Sequence, residues 1–253
     1  MNSVQERVWD RNGPLDRGRT EGGARRYLVE VTRAKRRPLT PELVVGVGLQ
    51  LLDEVGLTDF SMRALAERLG TYPATLYWHV GDRSTVLAAI LTRVLSEMNV
   101  PVPGKDWRKW LRHMATEYRE AIHRHPNIAA FTAAELQRGA AVEPLMESTL
   151  QVLHSAGFRD ARLVFACNVY VGTITGWVAI ELCSAPDDAG EEWAEEFASS
   201  AQELSPEAFP LMTRLMSEQL IGMRWRSGRD QPLDESFAML LDVLIDGLQA
   251  QVS

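Results

Sequence analysis

From Val44 to Leu248, apolar residues recur at three- and four-residue spacing, and no stretch of useful length alternates apolar with polar. Such spacing gathers apolar side chains on one face of an α-helix, whereas a half-buried strand needs a period of two. A chain patterned in this way is expected to be all-α, with helices that bury their stripes against one another. At 253 residues and 45% hydrophobic composition it is long enough for one or two domains with a sizeable core.

Helix punctuation divides the pattern. Thr40 is a capping residue, followed by Pro41 at the first helical position and Glu42 near the positive end of the helix dipole. Val44, Val47, Leu51, Leu52 and Val55 then share a face, and Gly56 ends the run. A second helix begins at Ser61, with Met62, Leu65, Ala66 and Leu69 on one face and Gly70 at its close. A third, short helix spans about Pro73 to His79. Asp82 caps a fourth, whose face of Leu87, Ile90, Leu91, Val94, Leu95 and Met98 runs into the stop "PVPGKD". Further helices are expected over 106–124, 127–138, 142–156, 160–184, 206–226 and 234–251. Residues 184–208, acidic and rich in small side chains, read as a long loop with a frayed helical turn.

Charge is spread unevenly along this pattern. Residues 1–38 hold ten Arg or Lys against five Asp or Glu, and the remainder carries a net charge of −12. That arm lacks periodicity and is rich in Gly and Arg, so it reads as a flexible basic tail suited to local contact with a polyanion. An acidic body excludes a general nucleic-acid-coating protein. Cys167 and Cys183 make neither a disulfide framework nor a zinc spacing, which fits a reducing cytoplasm with no metal or cofactor. No apolar run approaches the roughly 18 residues of a membrane span, and "MNSVQERVWDRNG" lacks the apolar core of a signal peptide. An enzyme reading could pair either cysteine with His113, His123, His125 or His154, but no nucleophile elbow, phosphate loop or metal spacing supports it.

Function is most legible in residues 61–79. They read helix, tight turn, short helix, with Gly70 at the turn and small Ala66 facing inward where two crossing helices must approach closely. This is the helix-turn-helix arrangement, whose second helix enters the DNA major groove. The stretch "FSMRALAERLGTYPATLYWHVGDRSTVLAAI" resembles the TetR family of transcriptional regulators, in its tetracycline-repressor-like branch. The resemblance extends over about 40–251 through "LRHMATEYREAIHRHPN", "VLHSAGFRDARLVFACNVYVG" and "FAMLLDVLIDGLQAQ", and is weakest at 184–230. It implies a basic arm over 1–38, a DNA-binding domain over 39–85, and a helical-bundle domain over 86–253 that holds a ligand and dimerises.

The resemblance also implies residue roles. Arg63 and Thr75 match base-contacting positions, and an arginine can hold guanine through two hydrogen bonds. Tyr77, His79 and Arg83 match phosphate-contacting positions, for which each is a suitable donor. Leu76 and Trp78 are expected to pack inward. Thr71, Tyr72 and Pro73 occupy the tip of the reading helix. Pro73 replaces a base-reading glutamine of the branch and Gly81 a lysine, so the operator sequence does not carry over. Arg36 and Arg37, directly before the first helix, suit phosphate contact. Arg17 and Arg19 suit the minor groove.

In the second domain the resemblance implies a homodimer clamped by helices near 161–183 and 234–251, with Phe237, Leu240, Leu241, Leu244 and Leu248 on the clamping face. It also implies a pocket, for which Met114, Tyr118, Phe131, Thr132, Glu135, Asn168, Thr173 and Trp177 form a mixed apolar and polar lining. Thr132 and Met114 stand where the branch holds tetracycline and magnesium with histidine and asparagine, which argues for a different hydrophobic effector, such as an antibiotic or polyketide-like metabolite. The expected function is a repressor released from a two-fold DNA operator by that effector. The alternative is a regulator without a small ligand, controlled by a protein partner or acting as an activator.

Overall fold

The structure is a computed structural model, and it describes residues 38–134, 142–182, 199, 204–217 and 233–252. The chain divides into two units, 1–39 and 40–253, and the described helices all belong to the second. Ten α-helices and one 3-10 turn form among the described residues, with no strand. They are α1 (Pro41–Asp59), α2 (Met62–Arg68), α3 (Pro73–Val80), α4 (Arg83–Leu95), α5 (Trp107–Arg124), α6 (Ala129–Ala134), α7 (Val142–Ala156), α8 (Asp160–Glu181), α9 (Pro210–Ser217) and α10 (Asp234–Gln251).

The caps anticipated in the sequence start these helices. Thr40 accepts from the Leu43 N–H at 3.3 Å, Ser61 from the Ala64 N–H at 3.2 Å and Asp82 from the Thr85 N–H at 2.8 Å. Each satisfies one of the N–H groups a helix start leaves open. α1 leaves helical geometry at Gly56 and then makes one more turn, closed by the Phe60 N–H on Gly56 O at 3.2 Å. The expected helix over 127–138 is a 3-10 turn at Pro126–Ile128 followed by α6, and its remainder lies outside the described residues. The helix expected over 206–226 begins later, at Pro210.

The first four helices share a small core. Val44, Leu52, Leu65, Ala66, Leu76, Leu87 and Ile90 are fully buried there. α2 and α3 meet across a turn at Gly70, whose φ of 63° is a left-handed conformation that glycine adopts without steric cost. Gly81, with φ of 81°, makes the corner between α3 and α4, where a Cβ would press on the Thr85 side chain at 3.2–3.3 Å.

α4 continues into the second part of the molecule, where it packs on α5, and α5, α6, α7, α8 and α10 pack on one another. α8 corrects one expectation. It is 22 residues long with a mean hydropathy of 1.7 over its best window, so length and composition alone would let it cross a bilayer. Only 28% of that window is buried, because one face packs in the bundle while Val164, Phe165, Val169 and Ile180 remain exposed.

Candidate DNA interface and ligand cavity

α3 presents most of its surface outward. Leu76 is the only residue of this helix that is buried, and burying a leucine completely stabilises by roughly 2 kcal/mol. That anchor sets the rotation of the helix. Tyr72, Pro73, Thr75, Tyr77 and His79 are exposed, Thr71 is half-buried, and Arg63 is exposed near the start of α2. All lie on consecutive elements at one end of the first domain.

Trp78 departs from the sequence expectation. It follows Leu76 by two residues, about 200° around the helix, so burying Leu76 turns Trp78 outward. It is 87% exposed and belongs to the surface rather than the core. Arg83 also has a different setting. Its guanidinium donates to Phe60 O at 3.0 Å and Leu57 O at 2.6 Å, and lies over the Phe60 ring at 5.9 Å from the centroid. These contacts close the C-terminal end of α1 and direct the group into the domain instead of toward a phosphate. The four arm residues Arg17, Arg19, Arg36 and Arg37 lie outside the described residues.

The second part holds a half-open cavity of about 260 Å³. Leu91 and Leu95 of α4, with Met98 just beyond it, form one wall. Met114, Ala115 and Tyr118 come from α5, Thr132 from α6, Val142, Leu145, Met146 and Thr149 from α7, and Tyr170, Val171, Ile174 and Thr175 from α8. Met114, Tyr118 and Thr132 are among the residues that line it.

The other pocket expectations are corrected by helix phase. Asn168 precedes Tyr170 by two residues, again about 200° away, and is exposed. Thr173 and Trp177 are half-buried but do not line the cavity, and Phe131 is buried outside it. Glu135 lies outside the described residues. The walls from α4 and α7 were missed. Their apolar stripes are visible in the sequence, but nothing there separates a stripe that packs on a neighbour from one that faces a void.

Most polar groups of the cavity wall are already engaged. Thr132, Thr149 and Thr175 donate to the carbonyls of Ala129, Leu145 and Val171 at 2.7, 2.8 and 2.8 Å. Tyr170 donates to Leu111 O at 2.7 Å, and burial pushes its phenol well above the ordinary value. Burial likewise pushes the Tyr118 phenol up to about 12, with Thr132 nearby opposing the shift. Thr132 has given its own proton to Ala129, and the Tyr118 hydroxyl makes no hydrogen bond of acceptable geometry among the described residues. The Trp177 indole N–H is in the same condition. Beside the cavity, the buried Cys167 thiol of α8 contacts Met146 Sδ of α7 at 3.3 Å.

A buried ionic cluster sits at the far end of α8. Arg119 donates to both carboxylate oxygens of Glu181 at 2.9 and 2.6 Å, His123 Nε2 is 3.1 Å away, and the Leu233 N–H donates at 2.9 Å. Burial alone would raise the Glu181 pKa, but the hydrogen bonds from Arg119, His123 and Leu233 overcome it and hold the carboxyl at about 2. Arg119 also reaches Asp234 at 2.7 Å and covers the Phe237 ring.

The last helix corrects the expected clamp. Phe237, Leu241 and Leu248 are buried within the subunit together with Ile245, and Leu240 and Leu244 are half-buried. The apolar residues that α10 leaves uncovered are Met239 and Val243, 68% and 65% exposed, about half a turn away.

A helix-turn-helix whose second helix faces outward, joined to a helical bundle, is the architecture of a class of DNA-binding regulators. Residues 45–90 match the family model for bacterial regulatory proteins of the tetR family, and residues 100–252 match the tetracycline repressor-like C-terminal domain. The chain belongs to the TetR family of transcriptional regulators. It is 31% identical to an HTH-type transcriptional regulator of Saccharopolyspora erythraea, over 62% of this chain and 68% of that one. It is 28% identical to the HTH-type transcriptional repressor DrrR1 of Streptomyces coeruleorubidus, over 100% of this chain and 97% of the relative. Among solved structures it resembles Streptomyces coelicolor ActR in complex with actinorhodin, at 28% identity and a TM-score of 0.68, over 85% of this chain and 99% of that one.

Proposed function

We propose that this chain is a cytoplasmic homodimeric repressor, released from a two-fold DNA operator when a small, mainly apolar molecule fills the cavity. Residues 39–85 read the DNA and 86–253 hold the effector and the partner subunit. The observation that carries this reading is α4. Its N-terminal end joins the reading helix through the Gly81 corner, and its C-terminal half forms a cavity wall through Leu91 and Leu95. A ligand that repacks this wall moves the helix that carries the DNA-binding end. A second connection supports it. The Asn127 amide donates to Leu52 O and Asp53 O at 2.8 and 3.1 Å, and His125 pairs with Asp53 at 2.9 Å, which ties the approach to α6 onto α1. Small shifts propagate through such packed contacts because they have few alternative arrangements.

On DNA, Arg63 and Thr75 face bases, while Tyr77, His79 and the exposed Trp78 face the phosphate backbone. Tyr72 and Pro73 lead the helix into the groove, and the arm arginines 17, 19, 36 and 37 add phosphate or minor-groove contact. Ligand and DNA then oppose one another by equal factors. Structures of ActR with (S)-DNPA and with actinorhodin support a small-molecule effector for this chain as well.

Selection of bound duplexes from a random library tests the DNA half. The expected product is a two-fold symmetric site. Tyr77→Phe should weaken binding to all sequences about equally, whereas Thr75→Ala should relax base preference at one position of each half-site. Recovery of no symmetric site, or the reverse assignment of these two effects, overturns the reading.

A further inference from the structure

Tyr118 carries the one hydroxyl of the cavity wall that makes no hydrogen bond of good geometry among the described residues, its interaction with Thr132 falling short of one; the other four donate to backbone carbonyls. The oxygen is shielded from water, although the side chain borders the cavity. A donor removed from water and left without an acceptor is unfavourable, and buried polar groups are nearly always satisfied. An occupant that brings an acceptor would satisfy this donor. Burial keeps the phenol protonated at neutral pH, so its O–H is a donor that needs an acceptor, while its oxygen could also accept from a donor. The rest of the wall narrows the chemistry. Met98, Met114, Met146 and Ile174 are apolar and adaptable, and none of the described wall residues carries a charge.

We infer that the cavity takes an uncharged, mainly apolar molecule that presents one hydrogen-bond acceptor, such as a carbonyl oxygen, to the Tyr118 hydroxyl beside Thr132. Apolar cavities of about 150 Å³ take benzene, and at about 260 Å³ this one suits a ligand of two or three fused rings. A carboxylate would surrender its hydration to a wall that offers no cation. The inference rests on the ligand-sensing reading above and adds the feature by which the site discriminates. A site that supplies a buried donor rejects an isostere lacking the acceptor more strongly than a purely apolar site can.

The test uses the full-length chain and three probes of one shape: 9-fluorenone, fluorene and fluorene-9-carboxylate, titrated by calorimetry. Fluorenone is expected to bind about tenfold more tightly than fluorene, and the carboxylate most weakly. Tyr118→Phe should erase the fluorenone preference and leave the affinity for fluorene within about twofold, which also shows that the variant keeps its cavity. Equal binding of fluorenone and fluorene, a preference that survives Tyr118→Phe, tightest binding of the carboxylate, or binding of none of the three overturns the inference. Displacement of a selected operator duplex is read alongside. Tyr118-dependent preference without displacement upholds the inference and counts against ligand-driven release.

Discussion

Arg83 and Trp78 sit five residues apart, and their surroundings give them opposite consequences. Arg83 satisfies two carbonyls at the end of α1, so removing it leaves part-buried acceptors open. Arg83→Ala should lower stability by about 1–3 kcal/mol, measured by urea unfolding without DNA. An unchanged midpoint would return this residue to a purely phosphate-binding role. Trp78 makes the opposite case. An 87% exposed side chain contributes little to folding, so Trp78→Ala should change stability by no more than about 0.5 kcal/mol. It should nevertheless weaken DNA binding, as read by anisotropy on a labelled duplex. A large loss of stability would restore the inward reading.

Between elements, the Glu181 cluster joins the end of α5, the end of α8 and the beginning of α10. A carboxyl held at about 2 in the folded chain, against an ordinary 4.5, binds its proton more readily when unfolded. Its contribution is complete above about pH 4.5 and is lost as pH falls toward 2, and a shift of that size corresponds to roughly 3 kcal/mol. Glu181→Gln should therefore destabilise by roughly 3 kcal/mol at pH 7, and the gap between the two proteins should close as pH falls toward 3. A gap independent of pH would mean that the carboxylate charge is not what holds these helix ends. The Gly81 corner acts at the same scale. Gly81→Lys, which restores the side chain of the branch, should cost about 1–3 kcal/mol and weaken operator binding, because a positive φ and the Thr85 contact both oppose a Cβ.

For the whole molecule, the outer faces of α8 and α10 are the unfinished surface. Val164, Phe165 and Val169 on α8, and Met239 and Val243 on α10, expose apolar area on helices that pack side by side. Grouped patches of this kind mark interaction surfaces, and two copies would bring four such helices together. Phe165→Asp combined with Val243→Asp should yield a monomer by sedimentation, with unchanged helix content because both residues are already exposed in the single chain. The same variant should lose most of its affinity for a two-fold site. Retention of the dimer would place the interface elsewhere.

Much of this was legible in the amino-acid order. Periodicity, caps and glycines placed α1, α2, α3, α4, α5, α7, α8 and α10 closely, because those signals act within a turn or two of the chain. The helix-turn-helix and its outward Tyr77, Thr75 and His79 were legible for the same reason. What tertiary structure decided is which side of each helix meets which neighbour. Anchoring Leu76 turned Trp78 out, burying Tyr170 turned Asn168 out, and seating Phe237 and Leu241 in the subunit left Met239 and Val243 exposed. Arg83, legible as a phosphate ligand, found two carbonyls 23 and 26 residues earlier. The cavity is the clearest case, since a void exists only where several helices fail to meet. Local sequence specifies the stripe on each helix, but the rotation of a helix is settled by packing against residues far away in the chain.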